Sequence, residues 1–119
     1  MVEDGLIYKK MNKIKMEITS IELQEKINNG EKVVVDFYGV WCEPCRILKP
    51  IFEKVSSENT TEVQMYTMDI DINKDIAVSL GIRSVPTIKS FNGGNVVDTK
   101  VGIVQESQLQ DLVKNLLNG

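Results

Sequence analysis

The chain has 119 residues, of which 42% are hydrophobic and 26% charged, and its formal net charge is −3. This length fits one globular domain, and the lack of a Lys- or Arg-rich run leaves binding to nucleic acid or acidic lipid without electrostatic support. The sequence contains no histidine, which excludes Cys-His and Ser-His catalysis and every imidazole-based metal site. No segment reads as a secretory signal or a membrane span, so a cytoplasmic protein is expected.

The first third of the chain predicts a strand, a helix and a second strand. Residues 1–12 carry no periodic signal and are interpreted as an N-terminal extension of a domain over residues 13–119. Residues 13–18 alternate charged and apolar side chains, as a half-exposed strand does. Thr19 and Glu22 then have the spacing of a capping box for a helix that ends near residue 28. The apolar, β-branched run at 33–38 predicts a central strand that is buried on both faces.

The rest of the chain continues the alternation of helices and strands and ends in a predicted hairpin and a last helix. Apolar residues at three- and four-residue spacing predict a helix over 45–57, and a strand at 63–70 and a short helix at 74–80 follow. Strands at 87–91 and 95–101 flank Asn92-Gly93-Gly94, which predicts a hairpin, and an amphipathic helix spans 106–117. The order β-α-β-α-β-α-β-β-α predicts a three-layer α/β/α fold with a mixed central sheet.

The only two cysteines stand at the start of the second predicted helix, in Trp41-Cys42-Glu43-Pro44-Cys45. The nucleophile in disulfide exchange is the thiolate, and the free N–H groups and dipole of a helix N-terminus stabilise such an anion. Pro44 suits the first turn, where a missing N–H costs nothing. The spacing predicts that Cys42 attacks a substrate disulfide and that Cys45 resolves the resulting mixed disulfide.

Two alternatives for the cysteines remain open on spacing alone. The pair could be half of a zinc or iron–sulfur site, although such sites usually need four ligands and this chain offers two thiols and no histidine. The two cysteines could also be unrelated. Their spacing, the proline between them and their place on a helix favour the redox pair, so no metal ligand is assigned.

From about residue 13 onwards the chain resembles the thioredoxin family. The resemblance rests on Val35-Asp36-Phe37-Tyr38, Trp41-Cys42-Glu43-Pro44-Cys45, Pro50, Ser84-Val85-Pro86-Thr87 and Gly102. It implies the thioredoxin fold and a protein-disulfide reductase that needs no cofactor beyond its Cys42–Cys45 pair. It also implies a monomer, with a thioredoxin reductase or equivalent electron donor and disulfide-containing client proteins as partners.

The resemblance also implies roles for residues that the sequence pattern alone leaves open. By periodicity, Asp36 could equally be a surface-facing strand residue or a polar end-cap, and the resemblance makes it a buried acid beneath Cys45 that exchanges a proton with that thiol. Pro86 could be an ordinary trans proline at a strand start. The resemblance implies instead a cis bond that places Val85 and Pro86 beside Cys42. There the backbone of Val85 pairs with an extended client peptide, and Pro86 keeps metal ions off the thiols.

Trp41 could be a core residue, but its position directly before Cys42 resembles the wall of a substrate groove. The resemblance implies an apolar substrate-binding surface around the Cys42 sulfur, which suits loose recognition of many protein partners. Its predicted members are Trp41, Glu43, Pro44, Val85, Pro86, Gly102 and Ile103.

Three residues are interpreted as tuning the site. Glu43 replaces the glycine usual in the family, and its charge opposes formation of the Cys42 thiolate, which predicts a couple at least as reducing as a typical thioredoxin. Arg46, four residues after Cys42, is positioned to offset that charge. Thr67 stands where many family members have a lysine near the buried acid, so Asp36 is expected to be harder to ionise.

Two functional alternatives are weighed against a general reductase. One is a dedicated reductant for a single client. The other is a thioredoxin-fold interaction module, such as a phage polymerase subunit, with incidental redox activity. The presence of both cysteines, Asp36 and Pro86 favours the two reductase functions, because a scaffold does not need these residues.

Overall fold

The computed structural model describes residues 16–119. The predicted extension at 1–12 and the first three residues of the predicted strand at 13–18 lie outside the described residues. The strands are β1 Val33–Tyr38, β2 Gln64–Asp69, β3 Thr87–Asn92 and β4 Asn95–Val101. The helices are α1 Ser20–Asn28, α2 Glu43–Glu58, α3 Lys74–Ser79 and α4 Glu106–Asn118.

The four strands form one mixed sheet in the order β2-β1-β3-β4. The central strand β1 pairs in parallel with β2 and antiparallel with β3, and β3 and β4 form the predicted hairpin. Of the predicted first strand, Glu17 makes an isolated parallel bridge to Thr67 of β2. Backbone hydrogen bonds from Ile18 N to Thr67 O (2.9 Å) and from Thr67 N to Met16 O (2.8 Å) fix this bridge. The segment therefore lies along the outer edge of β2.

Local sequence signals explain where several elements begin and turn. Thr19 caps α1, with the Glu22 N–H donating to its hydroxyl at 3.2 Å and the Thr19 N–H donating to the Glu22 carboxylate at 3.0 Å. This is the predicted capping box. Gly93 and Gly94, between β3 and β4, have φ angles of 61° and 88°, which glycine adopts without steric cost and which match the sense of twist of a tight hairpin.

The core lies on both faces of the sheet, which confirms the predicted three-layer α/β/α architecture. On one face Val34 and Ile88 pack with α2 and α4, and on the other face Val35 and Phe37 pack with α1 and α3. Because side chains alternate along a strand, Asp36 shares the face of Val34 and lies under α2. This register decides which helix covers the buried acid.

The helix α2 begins at Glu43, two residues earlier than the sequence pattern predicts, because Cys42 is its N-cap and Pro44 occupies the first turn. It is 16 residues long. None of the helices in the described part of the chain combines the length and apolar character that a membrane span requires.

Candidate active site

The two cysteines form a disulfide at the N-terminus of α2. The Sγ of Cys42 accepts a hydrogen bond from the backbone N–H of Cys45 at 3.2 Å. Each residue is only 4% exposed. The first turn of the helix therefore already provides an N–H donor to the sulfur that would carry the negative charge after reduction.

The loop that precedes β3 meets the Cys42 sulfur, and Gly102, which follows β4, is hydrogen-bonded to that loop. The carbonyl oxygen of Val85 lies 3.6 Å from the Sγ of Cys42, and the Val85–Pro86 peptide bond is cis, as the resemblance implies. The N–H of Gly102 donates to the carbonyl of Pro86 at 2.9 Å, and the φ of Gly102 is 92°. The fold thus brings together Cys42, Val85, Pro86 and Gly102, which come from three separate segments of the chain.

Three residues predicted for the substrate-binding surface are exposed to solvent. Trp41 is 64% exposed and Ile103 is 48% exposed, and Pro44 is exposed in the first turn of α2. Trp41 is therefore a surface residue, so the alternative of core packing is wrong for it. Val40 and Val101, the chain neighbours of Trp41 and Gly102, are also exposed, and the sequence interpretation missed both.

Trp41 is held in place by two residues that the sequence interpretation did not assign to the site. Its indole N–H donates to the carboxylate of Asp71 at 2.8 Å. A Cβ on Gly39 would lie 2.8 Å from the Trp41 ring, so only glycine lets the ring lie against the backbone there. The Gly39 contact and the Asp71 bond both require the folded chain, and neither residue carries a motif of its own.

Behind the disulfide, Asp36 lines a cavity of about 280 Å³ together with Cys45, whereas Cys42 is not part of its wall. Asp36 is 2% exposed, and its Oδ1 has no hydrogen-bond partner. Burial, and then the negative charge of Glu17, raise the pKa of Asp36 to about 7. A raised pKa is the direction expected from Thr67, because a threonine at this position supplies no cation to favour the ionised acid. Thr67 is the strand partner of Asp36 on β2.

Glu17 stands in the wall of the same cavity and is fixed there by three donors. The hydroxyls of Tyr38 and Thr67 donate to its Oε1 at 2.9 and 2.8 Å, and the N–H of Asp69 donates to its Oε2 at 3.1 Å. Burial and the Glu17 carboxylate raise the pKa of Tyr38, so the hydroxyl stays a donor. Sequence reasoning missed Glu17, because its role depends on contacts with strands that follow it in the chain.

Glu43 and Arg46 meet on the outer surface of α2. The Arg46 Nη1 lies 3.6 Å from the Glu43 Oε2, and its Nη2 donates to the carbonyl of Val40 at 3.4 Å. Both side chains are well exposed, so their attraction is weak and screened by solvent. Arg46 nevertheless faces the charge that it was predicted to offset.

A cysteine pair at a helix start, a buried carboxylate behind the second sulfur and a cis-proline loop facing the first define a thiol–disulfide oxidoreductase. Among residues 16–119, no group of three or more Cys, Asp or Glu side chains is arranged to hold a metal ion.

Comparisons with known proteins agree with this class. The thioredoxin family model matches residues 14–115. Thioredoxin from Buchnera aphidicola is 38% identical over 109 residues, covering 91% of this chain and all of that protein. Mitochondrial thioredoxin from Bos taurus is 41% identical over 97 residues, covering 81% of this chain and 58% of that protein. The structure of Plasmodium falciparum thioredoxin superposes with a TM-score of 0.74 at 31% identity, covering 83% of this chain and 96% of that one.

The chain belongs to the thioredoxin family. Members of this family are protein-disulfide reductases that act through their own cysteine pair without a cofactor. The chain is therefore a protein thiol–disulfide oxidoreductase that cycles between a Cys42–Cys45 dithiol and the disulfide seen in the structure.

Proposed function

We propose that Cys42 is the attacking thiol and Cys45 the resolving thiol, and that Asp36 is the base for the resolving step. The observation that carries this division is that Cys45, and not Cys42, lines the cavity that contains Asp36. The Cys42 sulfur lies beside the Val85 carbonyl instead. The two sulfurs thus have different surroundings, one facing the client and one facing the buried acid.

The reaction then has two exchange steps. The Cys42 thiolate attacks one sulfur of the client disulfide, a bond forms between them, and the other client sulfur leaves as a thiolate that takes a proton. Cys45 next gives its proton to the Asp36 carboxylate and attacks the Cys42 sulfur. The Cys42–Cys45 bond forms as the bond between Cys42 and the client breaks, the second client sulfur leaves as a thiolate that takes a proton, and the client has gained two electrons.

Asp36 suits this role because its proton affinity lies near neutral pH. A carboxylate with a pKa of about 7 is a much stronger base than an exposed aspartate, and a substantial fraction of it is still ionised at physiological pH. Its unpartnered oxygen in the shared cavity leaves it free to accept a proton, directly or through a water molecule.

Client recognition is assigned to the apolar surface formed by Trp41, Glu43, Pro44, Val85, Pro86, Gly102 and Ile103, with Val40 and Val101 added from their exposure. An extended client segment would lie against the Val85 backbone, and its apolar side chains would contact Trp41 and Ile103. Most members of this surface are apolar, so we expect broad rather than single-client recognition.

Replacing Ile103 with serine tests this recognition surface. The Ile103→Ser variant should lower kcat/KM for a protein disulfide such as that of insulin about five- to tenfold, because it removes exposed apolar contact area. Reduction of a small aromatic disulfide, which makes few contacts beyond the sulfur, should change less than twofold. Val97→Ser is the matched control, because Val97 is 52% exposed on the distal part of β4. Equal losses in both variants, or on both substrates, would refute the assignment.

The charge of Glu43 is assigned to tuning of the redox couple. The Glu43→Gln variant keeps the side-chain shape and removes a negative charge next to Cys42, so it should stabilise the thiolate and hence the reduced state. The reduction potential should become about 5–15 mV less negative, a small shift because the site is exposed and paired with Arg46. Equilibration with a glutathione buffer measures it, with Glu53→Gln on the same helix as control. A more reducing variant would contradict the proposal.

Partners and location follow from this chemistry. A thioredoxin reductase or an equivalent donor must return two electrons to the Cys42–Cys45 disulfide after each cycle. A reducing compartment such as the cytoplasm suits a pair of thiols that must be kept reduced. We also propose that the protein acts as a monomer, since the apolar surface around Cys42 must be open to clients. The domain is proposed to begin near residue 13.

A further inference from the structure

Glu17 places a second carboxylate in the cavity of the buried acid Asp36. Both carboxylates line the same cavity, and Asp36 has no hydrogen bond to its Oδ1. Glu17 cannot swing away easily, because Tyr38, Thr67 and the Asp69 backbone all donate to it. An anion is therefore held at a fixed place beside the buried acid.

The other groups around the cavity do not cancel this anion. From α2 come Cys45 and the cations Arg46 and Lys49, and β1 contributes Tyr38. Arg46 and Lys49 are exposed to solvent, as Glu17 is, but neither cation is among the causes of the Asp36 pKa shift. The neighbouring residue of β2 is Thr67, and that of β3 is Ile88, which are both uncharged. The negative charge of Glu17 is the neighbouring charge that moves the pKa of Asp36.

We propose that Glu17 is a positioning residue for the resolving step, and that its fixed carboxylate sets the pH at which Asp36 can accept the Cys45 proton. This inference rests on the proposed role of Asp36 as base. In the absence of a cation at Thr67, Glu17 moves the working range of Asp36 towards neutral and mildly alkaline pH. The hydrogen bonds from Tyr38 and Thr67 serve to hold that charge in place.

The first test follows the titration of Asp36 in the oxidised protein, where neither cysteine can titrate. Carboxyl ¹³C NMR of Asp36 should give a midpoint that falls by roughly half a pH unit or more in Glu17→Gln, because a like charge has been removed. Tyr38→Phe, which keeps the Glu17 charge, should move the midpoint less. Glu62→Gln removes an equal charge at the far end of β2, where Glu62 pairs with Lys32, and should leave the midpoint unchanged. An unchanged midpoint in Glu17→Gln would overturn the inference.

The second test measures resolution itself. Reduced protein is mixed with a peptide disulfide, acid-quenched at set times, and the decay of the mixed disulfide is followed by mass spectrometry from pH 5 to 9. The pH profile of Glu17→Gln should shift to lower pH by the amount seen in the NMR titration. If Asp36→Asn removes the pH dependence of the mixed-disulfide decay rate and Glu17→Gln leaves that dependence at its wild-type position, the inference on Glu17 fails alone. If Asp36→Asn keeps the wild-type profile, the proposed base role of Asp36 fails, and the inference fails with it.

Discussion

Replacing Cys42 with serine should abolish disulfide reduction, lowering turnover of a protein disulfide at least about a thousandfold. A serine hydroxyl does not ionise near neutral pH and cannot form a disulfide with the client, so the first exchange step is lost. Reduction of insulin with dithiothreitol as electron source measures this turnover. The substitution is nearly isosteric at a buried N-cap, and serine is itself a favoured capping residue, so the fold should persist.

The Cys42→Ser variant also distinguishes a reductase function from that of an interaction module. Nothing in the geometry or the relatives favours a scaffold with incidental thiols. Circular dichroism and thermal unfolding provide the control that the Cys42→Ser protein is folded. A folded variant that keeps more than about a tenth of the wild-type turnover would contradict the assignment of Cys42 as nucleophile, and one that keeps its cellular role would favour the module.

Replacing Asp36 with asparagine should make the protein more stable at alkaline pH relative to wild type. In the folded protein the pKa of Asp36 is raised to about 7 from an ordinary value of 3.8. The unfolded chain therefore loses this proton at lower pH than the folded one. The contribution of Asp36 to wild-type stability falls as pH rises from about 4 to 7, and the folded carboxylate costs on the order of 4 kcal/mol above that range. Asparagine cannot ionise, so the Asp36→Asn variant does not lose this stability as the pH rises.

Urea unfolding of both oxidised proteins from pH 4 to pH 8 measures the effect. The free energy of unfolding of Asp36→Asn minus that of wild type should increase by about 2–4 kcal/mol across this range. The subtraction removes the titration of all other groups, and any constant effect of burying an amide does not alter how the difference changes with pH. Asp111→Asn, an exposed change on α4, should instead follow the wild-type curve. A difference that stays flat with pH would show that Asp36 is not a buried acid with a raised pKa.

The sequence predicts most of the fold, because its strongest signals are local. The apolar run of β1, the capping box at Thr19 and the paired glycines of the hairpin each involve residues within a few positions of one another. All three are present in the structure. The sequence pattern places the start of α2 two residues too late, because Cys42 acts as N-cap through its sulfur and cysteine is not among the usual capping residues.

The site could be predicted only where a motif marks it. The pattern around Asp36 left its direction open, since a shift of one residue in a strand exchanges the buried and exposed faces. The contact of Cys42 with Val85 spans 43 residues, and that of Thr67 with Glu17 spans 50. No local pattern encodes such pairs. Asp71 and Glu17 therefore gained roles only once the strands and loops were placed.

The central claim is that Cys42 attacks and Cys45 resolves, and the most direct test is the mass of a trapped intermediate. Reduced Cys45→Ser protein, mixed with a peptide disulfide, should accumulate an adduct of the protein plus one peptide half, with the peptide attached to Cys42. The Cys42→Ser protein should form no such adduct at a comparable rate. Rapid adduct formation on Cys45 in the Cys42→Ser protein, with none on Cys42 in the Cys45→Ser protein, would contradict the account.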